Sequence, residues 1–277
     1  MQMTKSENYL TEYNTTDRQL HWLSQVIARI NSTFIPHHND DSHTNLYFDP
    51  VRQGISGRWI NAPSGILGCF LDLNTMTIKW RDRLNNELHE VLVFHADQNE
   101  ILASTGRFLQ SAGMSIEGME KPMHYEIPDY DIERINEGDI SKGGLKHWRK
   151  YRELANTACY DMLGYLQSDG KVRIWPHHFD TGIYTQVKKQ LGLGFGLAMK
   201  DAMVGAPYFY LAGYGNGMDA SDKGFPGLSK GYWEKGGSWK GAVLPLTDIS
   251  DKSYQEALKP IRRFIHEVSS WYLHIAD

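Results

Sequence analysis

The chain has 277 residues, 41% of them hydrophobic and 22% charged, which suffices for one large domain or two moderate ones sharing a core. Its net charge of −4, from 29 basic against 33 acidic residues, gives no electrostatic basis for binding nucleic acid or an anionic membrane. No stretch approaches the ~18 apolar residues of a membrane span, and the start, Met1-Gln2-Met3-Thr4-Lys5, has no apolar signal core, so a cytoplasmic protein is expected.

Residues 17–35 read as an amphipathic helix: Leu20, Leu23, Ile27, Ile30 and Phe34 recur at three- and four-residue steps, and Pro36 closes it. The loop His37-His38-Asn39-Asp40-Asp41-Ser42-His43 has the most metal-like composition in the chain, but its flanks match no metalloprotease or zinc-finger spacing, and a solvated polar loop is the plainer reading. Short strands are expected near 45–49, 66–73, 76–81 and 88–95, and Asp97 with Glu100 opens a helix through about residue 111. The turn-rich stretch 113–145, with its acidic run Glu126 to Glu133, reads as a surface linker. A second helix is expected from about 145 to 167, burying Trp148, Tyr151, Ala155, Ala158 and Met162.

Three strand-like runs follow, at 172–184, 191–199 and 206–214, then a glycine- and aromatic-rich loop at 213–238 and a strand at 240–246. In the last helix Tyr254, Leu258, Ile261, Ile265, Val268, Tyr272 and Ile275 keep three–four spacing around Pro260, which should bend or delay it. The fold class implied is α+β, with two similar helix–antiparallel sheet–helix halves at 1–112 and 146–277, joined by the 113–145 linker. An internal duplication would explain the shared order of elements. Aligning His21-Trp22 with His147-Trp148, however, sets the buried stripe of the first helix on Lys146, Arg149, Glu153 and Asn156, so the residue-level register does not carry over.

The run Leu191-Gly-Leu-Gly-Phe-Gly-Leu197 carries the functional question. A period of two sends Leu191, Leu193, Phe195 and Leu197 to one sheet face, and Gly192, Gly194 and Gly196 to the other. Burial places the bulkier apolar residues of the preceding run, Trp175, Phe179 and Ile183, on the side of the leucines, so His178, Asp180 and Tyr184 join the glycines; in the third run Tyr208, Tyr210 and Tyr214 do the same. Three occupants fit such a face. A helix or aromatic side chain can pack over the glycines; a small molecule can bind between the phenols, oriented by His178 and Asp180; or His178 and Asp180 can seed a divalent-metal site, with a third ligand supplied from elsewhere, such as the 37–43 loop.

Other candidates are weaker. Gly192, Gly194 and Gly196 fail the dinucleotide fingerprint, which needs glycine where Leu197 stands. Cys69 and Cys159 read as buried hydrophobes, His177 as a core histidine, His21 and His147 as capping or surface residues, and His95 as a group buried near Asp97.

The block Arg173-Ile-Trp-Pro-His-His-Phe-Asp180, followed by Pro207-Tyr-Phe-Tyr210, resembles an uncharacterised bacterial family with a Trp-Pro-x-His-Phe-Asp stretch, over about residues 120–245. The chain departs from that pattern in the glycine run, where Lys200-Asp201 is the nearest equivalent of a Gly-Asp turn. The resemblance supports the strands and implies no activity. The leading expectation is a small-molecule-binding or accessory protein using the glycine–tyrosine face. A metal-dependent hydrolase with His178 and Asp180, or a structural protein using that face as a subunit contact, are the alternatives.

Overall fold

The computed structural model describes residues 5–215, 224–236, 239–250 and 252–276, with side chains from Tyr9 onward. Part of the expected 213–238 loop lies outside the described residues. The described residues form four α-helices and two antiparallel sheets, an α+β fold. In chain order these are α1 (Lys5–Phe34), β1 (Tyr47–Asp49), β2 (Gly54–Ala62), β3 (Gly65–Asp72), β4 (Thr77–Asp82), β5 (Glu87–Leu92), α2 (Gln98–Ser111) and α3 (Lys142–Leu166). Then come β6 (Arg173–Trp175), β7 (Asp180–Lys188), β8 (Leu191–Ala198), β9 (Tyr208–Tyr214), β10 (Tyr232–Glu234), β11 (Gly241–Pro245) and α4 (Tyr254–Ile275). No helix among the described residues is long and apolar enough to cross a membrane.

The chain divides into two compact units, one of Thr11–Arg149 with Ile174–Phe179, the other of Met1–Leu10, Lys150–Arg173 and Asp180–Asp277. In the unit that begins at Thr11, β1 to β5 form a meander in sequence order. Leu20, Leu23, Ile27 and Ile30 of α1 are fully buried, and Gly57 of β2 leaves room for the Ile27 methyl and the Asn31 amide. α2 begins with a capping box, Asp97 accepting from the Glu100 N–H while the Glu100 carboxylate accepts from the Asp97 N–H. Its Phe108 ring stacks on His89 of β5.

In the other unit the strand order is β10-β11-β9-β8-β7. Leu191, Leu193, Phe195 and Leu197 of β8, Phe209 and Leu211 of β9, and Ala242 and Leu244 of β11 are completely buried on one face. The part of α3 in this unit and α4 cover that face: the Cys159 thiol meets the Phe195 carbonyl, and the Tyr272 ring occupies the space a side chain at Gly213 would need. Arg262 ties α4 to Asp161 of α3 at 2.8 Å. Both cysteines are free and buried, as expected.

Candidate functional site

The opposite face of this sheet holds the glycines. Cross-strand pairs Gly182–Gly196, Tyr184–Gly194, Gly196–Tyr210, Gly192–Tyr214 and Ala198–Tyr208 put Gly192, Gly194, Gly196, Tyr184, Tyr208, Tyr210 and Tyr214 on one side, and parity along β7 adds Asp180. The antiparallel pairing and the facing of these residues follow the alternation in the sequence.

His178 does not belong there. Residues 176–179 form a turn between β6 and β7 instead of continuing one strand, so the period-two argument breaks at Pro176. Phe179 adopts φ 54°, a left-handed conformation that is uncommon for a bulky residue. His178 is exposed on the turn, and neither His178 nor Asp180 joins a group of three potential metal ligands among the described residues. His178 and Asp180 therefore do not share one strand face, as the metal site seeded by the two residues required. His177 also lies in the turn, not on a core strand face.

What approaches the glycines is a layer of aromatic rings from the same sheet. The tip of Tyr184 lies over Gly192, the edge of Tyr214 over Gly194, and the ring of Trp239 over Gly241 on the same face. The Tyr184 and Tyr214 rings reach beyond their own strands and Trp239 folds along its own, and glycine is the residue that leaves space beneath each. Tyr184 and Tyr214 remain 53% and 43% exposed, with ring centroids 6.0 Å apart. The Trp239 indole N–H points to the Tyr214 hydroxyl at 3.4 Å, and the Trp239 ring stands edge-on to Tyr210. Trp239 is the site residue the sequence reading missed; its position two residues before Gly241, in phase with it, was the available signal.

Two carboxylates accept from the phenols of this face. Tyr210 donates to Asp180, and Tyr208 donates to Asp201 at 2.7 Å. Burial, then the nearby carboxylates, pushes the Tyr208 and Tyr210 phenols well above their ordinary range, and burial raises Tyr214 as well. The Tyr208 and Tyr210 hydroxyls are therefore held as donors to Asp201 and Asp180. Beside Tyr184 a groove of about 570 Å³ opens, lined by Leu166, Gln167, Ser168, Asp169 and Gln186 among others.

In the other unit the turn 176–179 closes on α1. His21, expected at a cap or the surface, is buried: its Nε2 lies 2.8 Å from the Pro176 carbonyl and its Nδ1 2.7 Å from the Tyr130 hydroxyl. Since a carbonyl only accepts, Nε2 carries the proton, and a neutral ring then accepts from Tyr130 at Nδ1. The ring stacks on Phe179 at 5.0 Å, and Gln25 gives the Pro176 carbonyl a second donor. His95, by contrast, is exposed and bonded to Asn136. No family model, no curated protein and no solved structure matches this chain.

Proposed function

We propose that the tyrosine-covered sheet face binds a compact organic cation of the alkylammonium class, which makes the chain a small-molecule-binding protein. The observation that carries this reading is the contiguous aromatic surface of Tyr184, Tyr214, Trp239 and Tyr210, half-open to solvent and resting on glycines. Aromatic faces attract cations through their quadrupole, by about 0.5–2 kcal/mol per ring depending on desolvation. The carboxylates that accept from Tyr210 and Tyr208, Asp180 and Asp201, stand beside this aromatic surface. The groove beside Tyr184 offers room for a polar substituent, with Gln167, Ser168 and Asp169 on its wall.

The test is calorimetric titration with choline and with its neutral isostere, 3,3-dimethylbutanol. Choline should bind saturably and more weakly as salt rises. Tyr184→Ala and Tyr214→Ala should each reduce affinity between about twofold and about thirtyfold. Equal binding of the neutral alcohol would refute a cation site. If neither compound binds and Tyr210→Asp instead dissociates an oligomer seen by sedimentation, the face is a subunit contact and this reading fails.

A further inference from the structure

The loop after α1, in the unit that begins at Thr11, brings together side chains of a different chemistry. Pro36 cannot continue the helix, and Ile35 N–H makes its last bond to the Asn31 carbonyl at 2.8 Å. The chain then returns on itself over His37–His43 and is held at the far end. The buried Asn31 amide donates to the carbonyls of Thr44 and Asn45 at 3.3 and 3.1 Å, and its oxygen accepts from Arg58 N–H at 2.9 Å. The Arg58 guanidinium also reaches the Ser42 carbonyl at 2.9 Å.

Within the loop Asp41 takes a left-handed backbone, φ 57°, and its carbonyl accepts from both the Thr44 N–H and the Thr44 hydroxyl, at 3.0 and 2.9 Å. That turn swings His43 back beside His37, with ring centroids 4.8 Å apart. One ligand atom each from His37, Asp41 and His43 then lies within 4.8 Å of the others. From the irregular segment after α2, His124 Nε2 lies 3.0 Å from Asp41 Oδ2, which fixes the carboxylate.

We propose that His37, Asp41 and His43 form a binding site for a borderline divalent cation, zinc foremost, with His124 orienting the Asp41 carboxylate. Two imidazoles and one carboxylate are the donor types that suit zinc, cobalt and nickel, whereas calcium and magnesium require shells of oxygen. Three protein donors leave a fourth tetrahedral position for water or another small ligand. Zinc bonds of about 2.0–2.1 Å place tetrahedral donors roughly 3.4 Å apart, so the three groups must close by an ångström or so. His37 is exposed and supplies that movement by rotation. The His38 N–H contact to His43 Nδ1 is 3.4 Å, at the long limit, so little is forfeited when the His43 ring turns. A ligating carboxylate is usually held in turn by a hydrogen bond, which His124 supplies to Asp41.

The decisive measurement is zinc binding by tag-free, full-length protein stripped with chelator, in competition with a chromophoric chelator. One equivalent should bind at micromolar free zinc, undisturbed by millimolar magnesium or calcium. His37→Ala, which removes an exposed side chain and leaves the core intact, should weaken binding at least about tenfold, and His124→Ala by about tenfold. His38→Ala is the control and should bind as the parent does. Cobalt should give the visible absorption of a tetrahedral site, absent in His43→Gln. Substoichiometric zinc, or parental affinity in His37→Ala, would overturn the proposal. So would equal weakening by His38→Ala, which would mark a diffuse imidazole cluster only.

Discussion

Gly192 and Gly196 share one face of β8 but differ in what lies above them, and a single methyl group distinguishes the two. At Gly196 a β-carbon would sit 2.5 Å from the Thr181 carbonyl oxygen and 2.8 Å from the Gly182 Cα, both backbone atoms of the paired strand. Nothing there can move without opening the β7–β8 ladder, so Gly196→Ala should lower stability by about 2–3 kcal/mol, read as a shift in urea midpoint. At Gly192 the obstacle is the tip of Tyr184, which is half-exposed and can swing aside. Gly192→Ala should cost less than about 1 kcal/mol, while displacing the ring from the proposed binding surface. Equal losses at the two positions would mean that the glycines serve the ladder alone.

At the scale of the element, local signals were readable wherever they were self-contained. The Asp97–Glu100 capping box spans four consecutive residues and needs no tertiary partner; it starts α2 where the sequence places it. Asp97→Ala should therefore destabilise the protein by about 1 kcal/mol, with Asp97→Asn retaining most of the cap; equilibrium unfolding of the two variants checks this. The stripe of α4 was legible for the same reason, and Pro260 lies inside the helix after its first turn. β2 was missed because Gly54 and Gly57, and a register shift between Ser56 and Trp59, disturb its alternation. The turn 176–179 was missed for a different reason. Its apolar residues imitate a strand, and what fixes the turn is remote in sequence: His21 and Gln25 of α1 on the Pro176 carbonyl. Parity beyond the turn still placed Asp180 and Tyr184 correctly, since it depends only on β7 itself. The loop cluster at 37–43 was visible as composition, but its proximity to His124 required the path of the 112–141 segment.

Across the whole molecule the two units repeat an antiparallel sheet with helices but not a strand order. One sheet is a simple meander, whereas in the other β10 lies outside β11. Both units also bury phenols whose protonated form folding favours. Burial pushes Tyr130 up to about 12 and raises Tyr125, Tyr208, Tyr210, Tyr214 and Tyr272. A group raised in the folded state contributes its stability in full below its unfolded value, near pH 10, and loses it as pH climbs through the folded value. Stability should thus decline above about pH 10, and the phenolate absorbance of these tyrosines should appear together with loss of circular dichroism. Phenols that all ionise near pH 10 in a still-folded protein would contradict the burial seen here.

The ring-on-glycine arrangement recurs in the first sheet, where Trp59 covers Gly68 and Phe70 covers Gly54. A ring resting on glycine has no side chain beneath it to interlock with, so it can tilt and slide without displacing a neighbour. Half-exposed rings such as Tyr184 and Tyr214 then reorient on the picosecond-to-nanosecond scale of surface side chains. A site of the kind proposed on this tyrosine face would thereby be compliant, accepting cations of differing outline and discriminating by charge and polarity more than by contour.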